Sequence, residues 1–458
     1  MPESIVRPPG PRGRRYLKSP LMGGLGPLVN LPRLAGRYGD VVFWRFLHLS
    51  SYLFTQPDAI ESVLVTKYRC FNKGIGVRAN SELFGNGLLT SEGDFWLRQR
   101  RLSQPAFHRT RIAAYADIMA DEANKMMARW SDGQELNIHR EMMATTLAIA
   151  TRTLFGVDLG MKMAVVAAAM DAFIRQNAGL SVWRLFFKLP TPSRKRFLRG
   201  VQELDEIVYG IIRERRANRM GEDLLSDFLR AQDEDGSSMT DTQLRDEVMT
   251  MLLAGHETTA LALSWAWYLL AKHPDEQAKL HAELDLVLAG RTPSAAAVPQ
   301  LPVVNKVVRE AMRLYPPAWV MSRQAVEDVE VGGYTVPAGS NVIVSQWVTH
   351  RDARFFPEPE SFRPDRWLPE SEQRLPKFAY FPFGGGPRSC IGNNFALLEA
   401  TVLLAAVAQR YNVSLVPGAR VTPLPSITLR PANGVWVKLR KRQSSERYGI
   451  ENSFHPSC

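Results

Sequence analysis

Apolar residues recur at three- and four-residue spacing over residues 115–129, 141–155, 162–178, 196–219, 275–288, 303–314 and 394–411, and each stretch reads as an amphipathic helix. Alternating or β-branched runs are fewer. They cover 41–46, 51–54, 329–336 with its Gly332-Gly333 turn, 341–345 and 435–439. Residues 289–302 read as a surface loop. The longest helical pattern begins at Thr240, which can cap it while Gln243 reaches back in the capping-box spacing, and it stops at His273-Pro274. At 1.5 Å per residue it would span about 50 Å, long enough to cross the molecule. Its midpoint, 255–259, would then lie in the interior, where a polar cluster needs a reason. The pattern as a whole predicts a mainly α protein with a small β-rich lobe.

A chain of 458 residues with 45% hydrophobic content can bury a sizeable core. No repeat or low-complexity linker interrupts residues 16–440, so one compact unit is expected there. The basic segment 1–15, with Pro8-Pro9-Gly10-Pro11, and the tail 441–458 lack periodicity and are expected to be flexible. Lys plus Arg (57) exceed Asp plus Glu (46), a net +11 that suits an acidic partner. No nucleic-acid-binding signature accompanies that charge, so nucleic acid is not an expected partner. Cys70, Cys390 and Cys458 are odd in number and far apart, which fits a reducing compartment, the cytosol by default. The first twenty residues hold no apolar stretch, so neither a signal peptide nor an N-terminal anchor is expected. Residues 251–271 approach the length of a membrane span but carry His256 and Glu257, which favours a buried core helix in a soluble protein.

The strongest chemical signal is Phe383-Gly384-Gly385-Gly386-Pro387-Arg388-Ser389-Cys390-Ile391-Gly392, followed by an apolar helical stretch. Glycines allow a tight turn that lets backbone approach a flat ligand, and a cysteine at a helix start is biased toward thiolate. A lone cysteine beside a glycine loop is ordinarily structural. Here, however, Phe383, Gly384, Gly386, Arg388, Cys390 and Gly392 together resemble the haem-binding signature F-x-x-G-x-R-x-C-x-G of the cytochrome P450 family, a chance match on the order of 10⁻⁶ per chain. A phosphate loop would need Lys-Ser/Thr after its glycines, and none follows.

On the long helix, Ala254-Gly255-His256-Glu257-Thr258-Thr259 is similar to the family's A-G-x-E-T element. Small residues let a planar cofactor lie against the helix, and a mid-helix Thr can bond the carbonyl four residues back and bend the ladder locally. A carboxylate beside a hydroxyl can relay protons. A satisfied polar pair in a core helix is the bland alternative, and a zinc-protease helix fails because no second His follows at the required spacing. Glu310 and Arg313 on one helical face, then Phe362-Arg363-Pro364-Asp365-Arg366-Trp367, resemble the family's E-x-x-R and loop arrangement, which implies a buried Glu310–Arg313–Arg366 triad. Asp365 and Trp367 stand where many relatives carry Glu and Phe. Trp96 and Arg100 match a W-x-x-x-R element.

The resemblance, running over residues 15–440, implies haem b held by the Cys390 thiolate. Arg388, Arg100, Trp96 and Arg323 would meet its propionates, Phe383, Gly384, Gly392 and Ala254 would complete its seat, and Thr258 and Glu257 would act in proton delivery. It implies a monooxygenase that puts one atom of dioxygen into a hydrophobic small molecule such as a lipid or terpenoid. Electrons would come from a separate acidic ferredoxin or flavoprotein, for which Arg98, Arg101, Arg109 and Arg111 are a candidate docking patch. Residues 74–89, 171–187, Met251, Ala254, 318–321 and 424–427 would line the substrate pocket, although Trp319 and Phe84 fit a core equally well. A peroxide-using or isomerising haem-thiolate enzyme and a non-enzymatic haem sensor or carrier are the rival readings.

Overall fold

The structure is a computed structural model and describes residues 7–11, 26–46, 48–78, 80–160, 162–177, 191–217, 221, 223–232, 236 and 238–443. Helices dominate, and the elements that matter for function are few. They are α1 (Gly93–Ser103), α2 (Ile138–Phe155), α3 (Asp241–Lys272), α4 (Pro302–Leu314) and α5 (Asn393–Ala408). The long helix α3 starts where the sequence places it. Thr240 Oγ1 accepts from the Gln243 amide while the Gln243 side chain accepts from the Thr240 amide, so both halves of the capping box form. Buried residues lie on every side of α3, which marks an interior helix. It packs on α2, α4 and α5, while Trp265 and Trp267 are fully buried in it.

A five-stranded sheet lies to one side, built from β1 (Val41–Phe46), β2 (Leu49–Phe54), β3 (Phe71–Lys73), β4 (Met321–Ala325) and β5 (Asn341–Val344). Its order is β1-β2-β5-β4-β3, with β2 and β5 parallel and the other pairs antiparallel. A small antiparallel pair, β6 (Pro423–Pro425) and β7 (Leu429–Pro431), approaches α3 from the C-terminal part of the chain. The hairpin around Gly332-Gly333 forms as expected, Val329–Val331 against Tyr334–Val336.

Several expectations are corrected. Strands β3 and β4 escape a pattern reading because they are short and carry Lys73 and Arg323 at buried positions. The last helix ends at Ala408, and Tyr411 opens a strand, Tyr411–Leu415, instead of closing the helix. Within the expected flexible N-terminus, Pro8 is buried and the Pro9 carbonyl accepts from the Phe43 amide at 3.0 Å, so residues 7–11 are held against β1. At the other end the last strand runs to Lys441 and Arg442 pairs with Asp285 at 2.5 Å. Residues 1–6, 12–15 and 444–458 of those termini lie outside the described residues.

Candidate active site

The turn that presents Cys390 is set by backbone stereochemistry. Gly384 and Gly386 sit at φ +72° and +68°, and a Cβ on Gly386 would meet the Leu64 carbonyl oxygen at 2.1 Å. The Cys390 amide closes the turn on the Phe383 carbonyl at 3.0 Å. Helix α5 begins only at Asn393, with Gly392 as its cap, so Cys390 lies two residues short of the helix. Protein surrounds the sulfur except where it opens to an internal cavity. That burial pushes the thiol up, opposed by the Gly392 amide and the Arg100 guanidinium. The helix end expected to favour the thiolate lies beyond Gly392, and the Gly392 amide is the backbone group that acts in that direction. A bound cation reverses the balance, because metal coordination deprotonates a thiol.

The cavity holds about 490 Å³ and runs between α3 and the cysteine turn. Trp96, Arg100, Ala254, Thr258, Arg323, Phe383, Gly384, Arg388, Cys390 and Gly392 all line it, so ten of the sequence-selected residues converge. Glu257 does not line it. Its Oε1 accepts from Arg430 Nε at 2.8 Å and from the Thr428 hydroxyl, on the far face of α3. Thr258 Oγ1 donates to the Ala254 carbonyl at 2.9 Å as expected, within a helix that is continuous through Thr259.

Polar groups gather at one end. Arg388 pairs with Glu92, its guanidinium lies 4.4 Å from the Trp96 ring centroid, and its Nε is buried without a hydrogen-bond partner among the described residues. Arg323 and Lys73 are buried nearby. Desolvation, then the charge of Arg388, lowers Arg323 to about 10 and Lys73 to about 7. Lys73 is the residue that the sequence reading missed, since a single lysine after Phe71-Asn72 carries no motif. Two guanidiniums and the Lys73 amine thus gather where Glu92 is the ion-paired carboxylate, a donor set that fits an acidic group with two carboxylates, as haem has. Arg100 is committed on another side, donating to the Ser389 carbonyl at 2.9 Å.

The expected bracing is present behind the turn. Glu310 and Arg313 are fully buried and paired at 2.8 Å, and Arg366 joins Glu310 at 3.2 Å. Trp367 Nε1 donates to Glu310 at 3.1 Å, so the Trp variant contributes a hydrogen bond where Phe could not. Asp365 turns outward to Lys306 and Lys279.

Other cavity walls come from Val77, Leu88, Leu89, Met251, 318–321 and 425–427. Trp319 is a wall: it is fully buried, lines the cavity and donates to the Ser426 carbonyl at 2.9 Å. Phe84 instead packs edge-on against Phe173, which stacks on Phe197, and does not line the cavity. The expected wall at 178–187 lies outside the described residues.

A family model for cytochrome P450 matches residues 8–437. The chain belongs to the cytochrome P450 family. Family membership makes this P450 a haem-thiolate monooxygenase. Among curated relatives it is 40% identical to cyclooctatin synthase of Streptomyces melanosporofaciens, over 88% of each chain. It is 37% identical to the cyclooctat-9-en-7-ol 5-monooxygenase of the same organism, over 85% of each. To the pentalenene oxygenase of Streptomyces avermitilis it is 35% identical, over 88% of this chain and 91% of that one. Among solved structures the cytochrome P450DA haem domain superposes with a TM-score of 0.87 at 27% identity, covering 97% of this P450 and all of that chain. No helix among the described residues is long and apolar enough to cross a membrane, so the apolar run inside α3 is a core helix.

Proposed function

We propose that this P450 hydroxylates the carbon skeleton of a cyclic terpenoid, with Cys390 as the residue whose thiolate would hold the haem iron. The observation that carries the reading is the position of Cys390 in the wall of a mostly apolar cavity, facing the Ala254–Thr258 side of α3. Three relatives at 35–40% identity are named for cyclooctatin, cyclooctat-9-en-7-ol and pentalenene, which supports the substrate class. Apolar walls recognise such a skeleton by burial, at about 25 cal/mol per Å² removed from water.

Haem, when bound through a thiolate, supplies the activation of dioxygen. Arg388, Arg323 and Lys73 would hold its two carboxylates, with Trp96 and Arg100 beside them. Ala254, Phe383, Gly384 and Gly392 would pack on its faces, where larger side chains at the glycines would intrude. Thr258 would hold a proton-donating hydroxyl toward the cavity, and Glu257 would resupply it from behind α3. The reaction consumes two electrons and two protons per dioxygen, inserts one oxygen atom into a C–H bond and releases the other as water.

The electrons would come from a separate cytoplasmic donor, an acidic ferredoxin or flavoprotein. Arg101 and Arg109 are exposed for such docking, while Arg111 already pairs with Asp227 at 3.1 Å. The decisive experiment is the carbonmonoxy spectrum of the reduced protein. The red-shifted Soret band of thiolate ligation is expected, and Cys390→Ser removes it; an unchanged band in that variant rejects the ligand. Cyclic terpene hydrocarbons should then displace the water-bound spectrum on titration, and indifference to all of them rejects the substrate class.

A further inference from the structure

Glu257 and Thr258 are neighbours in sequence, yet the structure sends their side chains to different places. Thr258 meets the cavity, whereas Glu257 is buried against the C-terminal strands. There Arg430 contributes two contacts to Oε1, one from Nε and one from Nη2, each at 2.8 Å, and Thr428 adds its hydroxyl. Strand β7, which carries Arg430, is fixed in place: the Leu429 carbonyl accepts from Trp265 Nε1 of α3 at 2.9 Å, and the Leu429 amide donates to Pro317 at 2.9 Å. Two bonds on the preceding residue fix the backbone from which the guanidinium reaches Glu257.

From this arrangement we infer that Arg430, assisted by Thr428, is a positioning residue for Glu257, stabilising the carboxylate that Glu257 becomes each time it gives a proton toward Thr258. The inference rests on the reading of Glu257 as the proton donor behind the helix. An acid that releases a proton inside a protein leaves a charge out of water, and without a partner that charge is strongly disfavoured. The other titratable groups facing this region do not supply the missing cation. His139 of α2, within hydrogen-bond distance of Ser264 at 3.0 Å, is pushed down to about 4 by burial and then by Arg430. His256, on α3 itself, is pushed down by burial, with its Nδ1 engaged by the Leu252 carbonyl at 2.7 Å. Both imidazoles are neutral at pH 7, so Arg430 is the charged partner of Glu257 among the described residues.

The test uses the haem-loaded full chain, reduced through a ferredoxin and its reductase, with pentalenene as the probe where it gives a binding spectrum and dioxygen reduction alone where it does not. Variants Glu257→Gln, Arg430→Met, Arg430→Lys and the Glu257→Gln/Arg430→Met double are compared for peroxide released per dioxygen consumed and for the solvent deuterium effect. If Arg430 acts through Glu257, Arg430→Met raises peroxide release and enlarges the isotope effect. Proton delivery should then slow by roughly tenfold or more, the double variant should be no worse than Glu257→Gln, and Arg430→Lys should recover part of the loss. Losses that simply add in the double variant, or an Arg430→Lys variant as impaired as Arg430→Met, overturn the inference. An unaltered peroxide yield in Glu257→Gln instead overturns the reading of Glu257 on which it rests. Should Arg430→Met fail to fold, Thr428→Val carries the same comparison with a smaller expected shift.

Discussion

Thr258 donates its hydroxyl hydrogen to the Ala254 carbonyl, one turn earlier on α3, at 2.9 Å. That bond fixes the oxygen at the cavity wall, where it can accept a proton from one side and pass one on from the other. Thr258→Ala should retain haem and substrate binding while product per dioxygen consumed falls on the order of tenfold and peroxide rises to match. Oxygen-electrode and peroxide assays decide it; full coupling in the variant would remove Thr258 from proton delivery.

The bracing behind the cysteine turn makes a stability prediction. Glu310 accepts from Arg313, Arg366, Trp367 Nε1 and the Arg363 amide, all at 2.8–3.2 Å. Glu310→Gln leaves Arg313 buried with its charge uncompensated, a loss of about 3–5 kcal/mol. Differential scanning calorimetry should show a markedly lower melting temperature together with poor haem retention. Arg313→Lys should do nearly as badly, because an ammonium cannot replace a guanidinium that also donates to the carbonyls of His350, Pro359 and Ser361.

A second buried acid gives a pH dependence. Glu399, on α5, is fully buried and neither carboxyl oxygen makes a hydrogen bond among the described residues. Burial pushes its carboxyl well above the usual range, and the Thr259 hydroxyl nearby offsets this only in part. The folded state therefore keeps a proton that the unfolded state loses above its ordinary value of 4.5. Proton binding is then greater in the folded state, and this group's contribution to stability falls as pH rises above that value. Glu399→Gln should flatten that slope, raising the melting temperature more at pH 8 than at pH 5. An equal effect at both values would contradict the assignment.

How much of this was legible in the chain depends on the kind of signal. The long helix was readable because periodicity, the Thr240 capping box and His273-Pro274 all agree, and the cysteine turn because glycine, arginine and cysteine at fixed spacing are improbable together. Lys73 and Arg323 were harder. Both sit on short strands whose polar residues are buried at the cavity, a burial that local pattern argues against. The orientation of Glu257 was not readable either, since it depends on Arg430, 173 residues away in sequence. Long-range pairing of that kind leaves no periodic trace.

Trp319 offers a test of what shapes the pocket. The residue borders the cavity, packs in a core cluster with Trp44 and Trp265, and its Nε1 donates to the Ser426 carbonyl between β6 and β7. Trp319→Phe removes that bond at a net cost of about 1 kcal/mol and leaves the 425–427 turn less constrained. The expected outcome is a modest stability loss with a changed distribution of hydroxylated products from one substrate, read by mass spectrometry. An identical product distribution would assign Trp319 to packing alone.

The indole at 319 and the carboxylate at 310 belong to separate sets of contacts. One borders the cavity; the other ties α4 to the 363–367 segment. Descendants of this gene could therefore trade one guest for another by altering the wall while the chassis goes untouched, and a lineage built this way can diversify its chemistry without first having to relearn how to fold.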